Sequence, residues 1–350
     1  MDDPFFLPNS LGFTQLRSAS LDFMQEKTRI LIIRFSSIGD IVLTTPIIRC
    51  LKEQLDGGVE IDFITKEAYS SLLTNNPHIH QVLTIREKVS EVRPLLQPGI
   101  YDYVIDLHNN LRSKLVKRYT RSLHFTLNKR NVAKWIYVQT KQELMPIGHV
   151  VARSFEAIKA LGVENDGAGL DFFFPSAFNS SPLPEPFAKG YIAYAIGGQF
   201  QGKILPTKKA VALCEALPLP IVLLGGAEDR IRGYAIKDAL GEKVFNACGA
   251  FSLMESAFVV NEAQALITHD TGMMHIGTAL GTPIVSLWFA TTPQIGFAPW
   301  EPKAPSFIVE SKLKARPTSK LGNRGYDNPA LFDIDIADVV QKLNQCLTLK

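Results

Sequence analysis

The chain has 350 residues, of which 46% are hydrophobic and 20% are charged. That length and composition predict two globular domains rather than one. Its 37 lysines and arginines against 34 aspartates and glutamates leave a formal charge of +3, which argues against a nucleic-acid-binding protein but suits a protein that visits an anionic membrane surface.

The first 28 residues are predicted to be an extension rather than a signal peptide, because they lack an uninterrupted hydrophobic stretch. Apolar runs stay well short of the ~18 residues that span a bilayer, so we expect no transmembrane segment. The cysteines lack Cys-x-x-Cys spacing and lie in apolar or helical surroundings, which predicts reduced, buried thiols in a cytoplasmic protein. They are Cys50, Cys214, Cys248 and Cys346.

A parallel α/β domain is predicted over residues 29–175, because strand patterns alternate there with helical segments. The strands are predicted at 30–35, 59–65, 81–85, 103–107 and 123–127. In an open parallel sheet, ligands bind in the crevice outside the carboxyl ends of the strands. The loops that follow these strands are therefore the candidate functional segments.

The first such loop is the polar turn Ser36-Ser37-Ile38-Gly39-Asp40, which precedes a helix predicted over 41–55. Asp40 lies at this strand-to-helix junction. A carboxylate there can act as a catalytic acid or base, or it can cap the helix by accepting hydrogen bonds from its free amides. The two roles are compatible, and the spacing alone favours the cap.

Polar and basic residues follow the strand predicted at 103–107. They are Asp106, His108, Asn109 and Arg112, followed by the basic run Lys114, Lys117, Arg118 and Arg121. Basic side chains at this edge of the sheet could bind phosphates or carboxylates, although a solvated, charged helix face is the commoner explanation. We single out His108 and Arg112 because this segment follows a strand at the edge where the ligand is expected.

A stretch rich in Pro and Ser predicts a linker over 176–190. A second α/β domain is predicted over 191–335, with strands at 191–196, 221–224, 265–268 and 284–288, and a C-terminal helical segment over 336–350. The strands are not followed by Gly-x-Gly-x-x-Gly, which argues against a standard NAD-binding half. Asp333 and Asp335 precede the last helix, where acids are expected on electrostatic grounds, so they are assigned no metal.

The loop after strand 265–268 is the clearest predicted ligand site. The tight turn Asp270-Thr271-Gly272 leads into a helix predicted over 273–280 that stops at Gly281. First-turn amides have no intrahelical partner and carry partial positive charge, so this turn favours a phosphate or diphosphate. His275 could donate to a phosphate oxygen. Alternatively, Asp270 and Thr271 are only helix caps, and His275 is a surface histidine.

Two other loops of the second domain also end a strand and begin a helix. One contains Gly198, Gln199 and Lys203, and the other contains Glu228 and Asp229. A lysine in a loop is by default merely solvated, and both acids could simply complement the partial positive charge at the helix N-terminus. Spacing does not distinguish the roles of Glu228 and Asp229.

Three segments together resemble the bacterial heptosyltransferases of glycosyltransferase family 9. They are the turn at 36–40 after an N-terminal strand, Asp270-Thr271-Gly272-Met273-Met274-His275, and Ala279-Leu280-Gly281-Thr282-Pro283. The resemblance covers roughly residues 29–310. It implies a GT-B fold, in which two Rossmann-like α/β domains face one another across a cleft. It also implies inverting, metal-independent transfer of heptose from ADP-heptose to the inner core of lipopolysaccharide.

By this resemblance, Asp40 is the base that deprotonates the acceptor hydroxyl, and Lys203 binds the departing diphosphate. An acidic residue, either Glu228 or Asp229, contacts the ribose. The predicted donor-binding residues are Gly198, Gln199, Lys203, Glu228, Asp229, Asp270, Thr271, Gly272 and His275. The predicted acceptor-binding residues are Ser37, His108 and Arg112. No metal and no cofactor are expected, since the ADP-sugar is a substrate.

Two other functions stay open: transfer of a different nucleotide-activated sugar, and nucleotide-sugar binding without catalysis. Asp40 together with Lys203 favours the enzyme, since a pure binding protein has no need of the carboxylate. Many relatives carry paired cysteines near the end of the second domain, but residues 314–324 have none, so no property of such cysteines is inferred. The expected acceptor is a lipid-linked saccharide, reached by a cytoplasmic protein in peripheral contact with the inner membrane.

Overall fold

The fold is that of a computed structural model, which describes residues 27–176, 178 and 183–349. The predicted extension at 1–28 thus lies almost wholly outside the described residues, and so does part of the predicted linker at 176–190. The limits of the predicted domains stay predictions.

The first sheet has five parallel strands in the order β3-β2-β1-β4-β5. The strands are β1 (Thr28–Ile33), β2 (Val59–Lys66), β3 (Gln81–Ile85), β4 (Tyr103–Asp106) and β5 (Leu123–Thr126). The helices connected with them are α1 (Ile38–Val42), α2 (Thr45–Gln54), α3 (Leu111–Thr120), α4 (Asn131–Thr140) and α5 (Val150–Ile158). Apolar side chains of β1 are buried on both faces, as expected for a parallel sheet covered by helices.

The second sheet has six parallel strands in the order β11-β10-β9-β6-β7-β8. Its strands are β6 (Ile192–Ala195), β7 (Ile221–Leu224), β8 (Val244–Asn246), β9 (Ala265–His269), β10 (Ile284–Trp288) and β11 (Ser306–Glu310). The helices are α6 (Thr207–Ala216), α7 (Arg230–Leu240), α8 (Leu253–Glu262), α9 (Gly272–Leu280) and α10 (Ile336–Thr348). All nine predicted strands are present, and β8 and β11 were not predicted.

Short 3-10 helices occur in both halves of the chain. They are Glu67–Leu72, Val89–Leu96, Lys159–Leu161, Glu185–Phe187, Gln201–Lys203, Ala227–Asp229, Gly241–Lys243, Pro293–Ile295 and Pro329–Phe332. The four cysteines are buried free thiols, as predicted.

The prediction of a single helix over 41–55 is wrong, because the chain forms two helices there. The hydroxyls of Thr44 and Thr45 donate to the carbonyls of Ile41 and Val42 at 2.7 and 2.8 Å, and so occupy acceptors at the end of α1. Pro46 is the second residue of α2, a position where a missing amide hydrogen costs nothing. α1 begins at Ile38, inside the predicted turn.

One of the buried apolar clusters contains residues from both halves of the chain. Ile41 of α1 belongs to the same buried cluster as Ile276 and Ala279 of α9, and Met273 packs against that cluster. α9 ends at Gly281, which has a φ of 71°, as the predicted stop requires. The packing of α1 against α9 brings the carboxyl ends of both sheets to one cleft.

Candidate active site

A cleft of about 980 Å³ lies between the two sheets. Its walls are formed by the loops that follow β1, β4, β6, β7, β9 and β10. Every predicted site residue lines this cleft except Arg112, which is exposed near the start of α3. The prediction that Arg112 contacts the ligand is therefore not supported. The buried face of α3 is set by Ser113 and Val116, which directs Arg112 to solvent.

Asp40 is held by two neighbours at the first-sheet side of the cleft. Its Oδ2 accepts hydrogen bonds from the Ser37 hydroxyl at 2.8 Å and from the Ser37 amide at 3.3 Å. Its Oδ1 forms an ion pair with Arg34 Nη2 at 2.5 Å. Burial by itself raises the pKa of Asp40, but the charge of Arg34 and the bonds from Ser37 outweigh it and lower the pKa below the ordinary value. Asp40 is thus a cap and also an ionised carboxylate in the cleft.

Arg34 is a functional candidate that the sequence did not reveal. Its guanidinium donates to the carbonyls of Ser36 at 2.8 Å and Leu107 at 2.5 Å, so it joins the loops after β1 and β4 around Asp40. The available signal was a basic residue directly after an apolar strand. Because Arg34 is nearly buried, its charge acts on Asp40 with little screening by water.

His108 lines the cleft beside Arg34 and is uncharged at neutral pH. Its ring lies 5.3 Å from that of Phe35 in an edge arrangement. Burial, followed by the charge of Arg34, lowers its pKa to about 4. Asp106, by contrast, points away from the cleft and accepts from the Ser113 hydroxyl at 2.7 Å, which gives it a structural role.

On the opposite wall, Lys203 and Asp270 form an ion pair of 2.7 Å between Nζ and Oδ2. Lys203 Nζ also donates to the Asp270 carbonyl at 3.1 Å, and the Thr291 hydroxyl donates to Asp270 Oδ2 at 2.7 Å. Asp270 therefore fixes the lysine at the edge of the cleft. Thr291 was not predicted, although it lies just beyond β10.

The N-terminus of α9 opens into the cleft beside this ion pair. Thr271 is the residue that precedes the helix, and Gly272 begins it. His275 is 3% exposed, its Nδ1 has no hydrogen-bond partner among the described residues, and burial lowers its pKa to about 4. A neutral His275 keeps one ring N–H that can serve as a donor.

The structure separates the roles of Glu228 and Asp229. Asp229 is buried, accepts from the Gly226 amide at 3.1 Å and pairs with Arg232 at 3.3 Å, while burial raises its pKa. Glu228 is exposed, and in the described part of the chain its carboxylate forms no hydrogen bond or ion pair. Of the two acids, Glu228 is the one whose carboxylate is free for a ligand.

Other cleft residues escaped sequence analysis because they are apolar or lie far from the motifs. They include Lys66, Tyr69, Phe251, Met273, Thr292, Phe297 and Lys320. Over the described ranges, no group of three or more His, Cys, Asp or Glu side chains could hold a metal ion. In the same part of the chain, no helix has both the length and the apolar character to cross a membrane.

The strand ends of two parallel α/β units face one cleft. One wall of the cleft carries a carboxylate, and the other carries a lysine beside a helix N-terminus. Together these features define a GT-B glycosyltransferase. The sequence model of glycosyltransferase family 9 (heptosyltransferase) matches residues 91–324, and the chain belongs to this family. The predicted family and the predicted GT-B fold are both confirmed.

The similarity to curated proteins extends over most of the chain. A lipooligosaccharide heptosyltransferase 2 of Haemophilus ducreyi is 25% identical, with 91% of this chain and 99% of that protein covered. A lipopolysaccharide heptosyltransferase 3 of Escherichia coli is 22% identical, with 88% and 96% covered. These relatives agree with the predicted class of enzyme, a glycosyltransferase.

Solved structures share the fold at lower sequence identity. The family 9 glycosyltransferase of Veillonella parvula has a TM-score of 0.73 and 19% identity, with 92% of this chain and 98% of that chain covered. The ADP-heptose lipopolysaccharide heptosyltransferase II of E. coli has a TM-score of 0.66 and 20% identity, with 92% and 99% covered.

Proposed function

We propose that this protein transfers heptose from ADP-heptose to an inner-core acceptor of lipopolysaccharide, with inversion at the anomeric carbon. The observation that carries the proposal is that Asp40 and Lys203, from the two halves of the chain, line one cleft. The names of the curated heptosyltransferases support the sugar and the acceptor class. Solved E. coli relatives contain ADP or an ADP-fluoroheptose, which supports the donor.

In the proposed reaction, the acceptor hydroxyl attacks the anomeric carbon while Asp40 accepts its proton. The bond from that carbon to the diphosphate oxygen breaks, and its electron pair leaves with ADP. An ionised carboxylate is the form that a base requires, and the Arg34 ion pair keeps Asp40 in that form. A single displacement from the face opposite the diphosphate inverts the configuration.

The leaving diphosphate gains negative charge as the bond breaks. We assign its stabilisation to Lys203 and to the first amides of α9, which act as fixed donors in a site partly shielded from water. His275 supplies a neutral donor one turn into the helix. These groups replace the divalent ion that other transferases use, so the proposed reaction needs no metal and no cofactor.

Glu228 is the proposed ribose contact, because its carboxylate is free whereas that of Asp229 is engaged within its own loop. The loop at Gly198 and Gln199 completes the donor site on the same wall. On the opposite wall, Ser37 and His108 are the proposed acceptor contacts. The acceptor is expected at the cytoplasmic face of the inner membrane, where the protein would act as a peripheral enzyme.

The proposal is tested by incubation of the protein with ADP-heptose and a panel of truncated core acceptors, with and without EDTA. We expect heptosylated product that is unaffected by EDTA and lost in Lys203→Ala. Thermal unfolding with ADP, UDP or GDP at equal concentration gives a second readout, because the ligand that binds the native state most tightly raises the melting temperature most. A larger shift with UDP or GDP would indicate another nucleotide-sugar, and nucleotide binding without any turnover would indicate an inactive binding protein.

A further inference from the structure

Helix α4 packs behind the wall of the cleft near the first sheet. Its inner side packs through Ala133 and Tyr137 against Ile295, which lines the cleft. The Tyr137 hydroxyl lies 3.4 Å from that of Thr292, and Lys134 Nζ lies 4.8 Å from the ring centroid of Phe297. Lys129, which precedes α4, lies near Lys320 of the cleft, so the N-terminal end of the helix is close to the cleft.

That outer side carries large apolar side chains without cover. Val132 and Trp135, about one turn apart on α4, are 65% and 63% exposed. The segment that follows α4 carries Leu144 and Met145, which are 63% and 44% exposed. We call these four residues the α4 face. They are four of the twelve large hydrophobic residues that are exposed in the described part of the chain, and all four lie within 14 consecutive positions.

Hydrogen bonds bring the two segments of the α4 face together. The Lys141 amide donates to the Tyr137 carbonyl at 2.8 Å, so the segment leaves from the last turn of α4. Arg130, at the start of the helix, donates to the Pro146 carbonyl at 2.9 Å. Residues 142–146 therefore run back along α4, from its C-terminal end to its N-terminal end.

Basic residues border this apolar surface. Lys129 and Arg130 precede α4, Lys141 follows it, and Lys320 lies near Lys129 and lines the cleft. The acids nearby are Glu143, which accepts from the Ile147 amide at 3.1 Å, and Glu156, which pairs with Arg130 at 2.8 Å. An exposed tryptophan and aliphatic side chains bordered by cations match the interfacial layer of an anionic bilayer.

We infer that the α4 face is the surface by which this protein binds an anionic phospholipid membrane. The inference rests on the proposed function, in which the acceptor is a saccharide held in the membrane by its lipid. The four side chains insert shallowly, the cations meet lipid phosphates, and the entrance of the cleft is held beside the membrane surface. The membrane thus delivers the acceptor to the wall that carries Asp40.

The test is flotation of the full chain with vesicles of phosphatidylglycerol and phosphatidylethanolamine, compared with vesicles of phosphatidylcholine alone. We expect binding to the anionic vesicles, and about tenfold weaker binding for the double variant Trp135→Ser, Leu144→Ser, because apolar contacts with the acyl region are lost. The matched control is Ile231→Ser, Tyr234→Ser on α7, whose side chains are 84% and 51% exposed beside other cations. The control is expected to bind like wild type.

Fluorescence gives an independent readout, because Trp288 is 1% exposed and Trp300 is stacked on His149 with ring centroids 4.5 Å apart. A blue shift on vesicle addition is expected from Trp135 and should vanish in Trp135→Phe. Heptose transfer to a short acceptor without lipid should be unchanged in the double variant, which separates this inference from the proposed function. Three results would each overturn it: no vesicle binding by wild type, loss of binding in the α7 control instead, or self-association abolished by the α4 variant without vesicle binding.

Discussion

Gly39 and His275, which come from opposite halves of the chain, lie so close together that no side chain fits at position 39. A Cβ placed on Gly39 would lie 2.5 Å from His275 Cδ2 and 3.2 Å from the Cα of Gly272. The same crowding exists in reverse, since a Cβ on Gly272 would lie 2.7 Å from that of Ile38. The two glycines therefore allow α1 and α9 to meet, and their contact sets the distance from Asp40 to the diphosphate site.

Gly39→Ala is expected to push the two halves apart at this contact. Turnover should fall on the order of 10²-fold, because misplacement of a catalytic group by about 1 Å has that effect. ADP affinity, measured by calorimetry, should also fall, because the new methyl group contacts the donor residues His275 and Gly272, but much less than turnover. The clash with the imidazole should also lower the melting temperature of Gly39→Ala. The double variant Gly39→Ala, His275→Ala lacks the imidazole, so part of that loss should be recovered. This recovery measures a coupling between the two sites. Normal turnover in Gly39→Ala would contradict this positioning role.

Asp40→Asn removes the base and keeps the shape of the side chain. We expect turnover to fall by roughly 10²- to 10⁴-fold, the usual range for a general base, with ADP binding unchanged. Asp102→Asn is the matched control, since Asp102 is exposed and caps the opposite end of the sheet through the Arg29 amide. Normal turnover of a folded Asp40→Asn variant would leave Asp40 with the capping role alone.

The Arg34 ion pair should be visible in the pH profile. Because Arg34 lowers the pKa of Asp40, the acidic limb of kcat/KM in wild type should lie below the ordinary range of an aspartate. Arg34→Gln removes the charge, so the pKa of Asp40 rises and the limb moves to higher pH. Arg34→Lys keeps the charge and should move the limb less. A limb that stays in place in Arg34→Gln would show that another group controls it.

The loops of the site were predictable from sequence because each follows an apolar strand and contains glycine or small polar residues. Asp40, Lys203 and Asp270 all fit that rule. The missed strands are short or end in polar residues: β8 has three residues, and β11 begins with Ser306 and ends with Glu310. These strands lie at the edges of the sheet, where burial leaves a weaker pattern.

Contacts between distant residues could not be predicted in the same way. The pairing of Arg34 with Asp40 depends on how β1 and β4 place the loops around the guanidinium, and no periodicity encodes that. The direction of Arg112 depends on which side of α3 packs on the sheet, and the choice between Glu228 and Asp229 depends on a local bond to Gly226. Each of these is set by the geometry of the folded chain, which the spacing of residue types does not encode.

Glu228→Ala should weaken ADP binding by about tenfold or more, since a hydrogen bond to a charged group contributes roughly 1.5 to 3 kcal/mol. Melting temperature without ligand should be unchanged, because Glu228 is exposed. Glu242→Ala is the control for loss of one exposed acid, and it should bind ADP normally. Asp229→Asn, by contrast, should lower the melting temperature, because Asp229 is buried and holds its own loop. Equal ADP affinity in Glu228→Ala and wild type would exclude Glu228 as the ribose contact.

Lys134 is expected to make stability depend on pH. The side chain is 7% exposed, and no acidic partner forms an ion pair with it among the residues described. Burial, assisted by the charge of Arg153, lowers its pKa from 10.5 to about 7. Between these two values the unfolded chain binds a proton that the native protein does not, so the free energy of unfolding should rise with pH across this window.

Lys134→Met keeps the length of the side chain and removes the charge. The variant should be more stable than wild type by on the order of a few kcal/mol at and below neutral pH, and the gain should shrink as pH approaches 10. Urea unfolding across about pH 6 to 10 measures this difference, with Lys208→Met as an exposed control that should show no such trend. A gain that stays constant with pH would mean that Lys134 is charged in the native protein, and its burial would then require an anion supplied from the cleft.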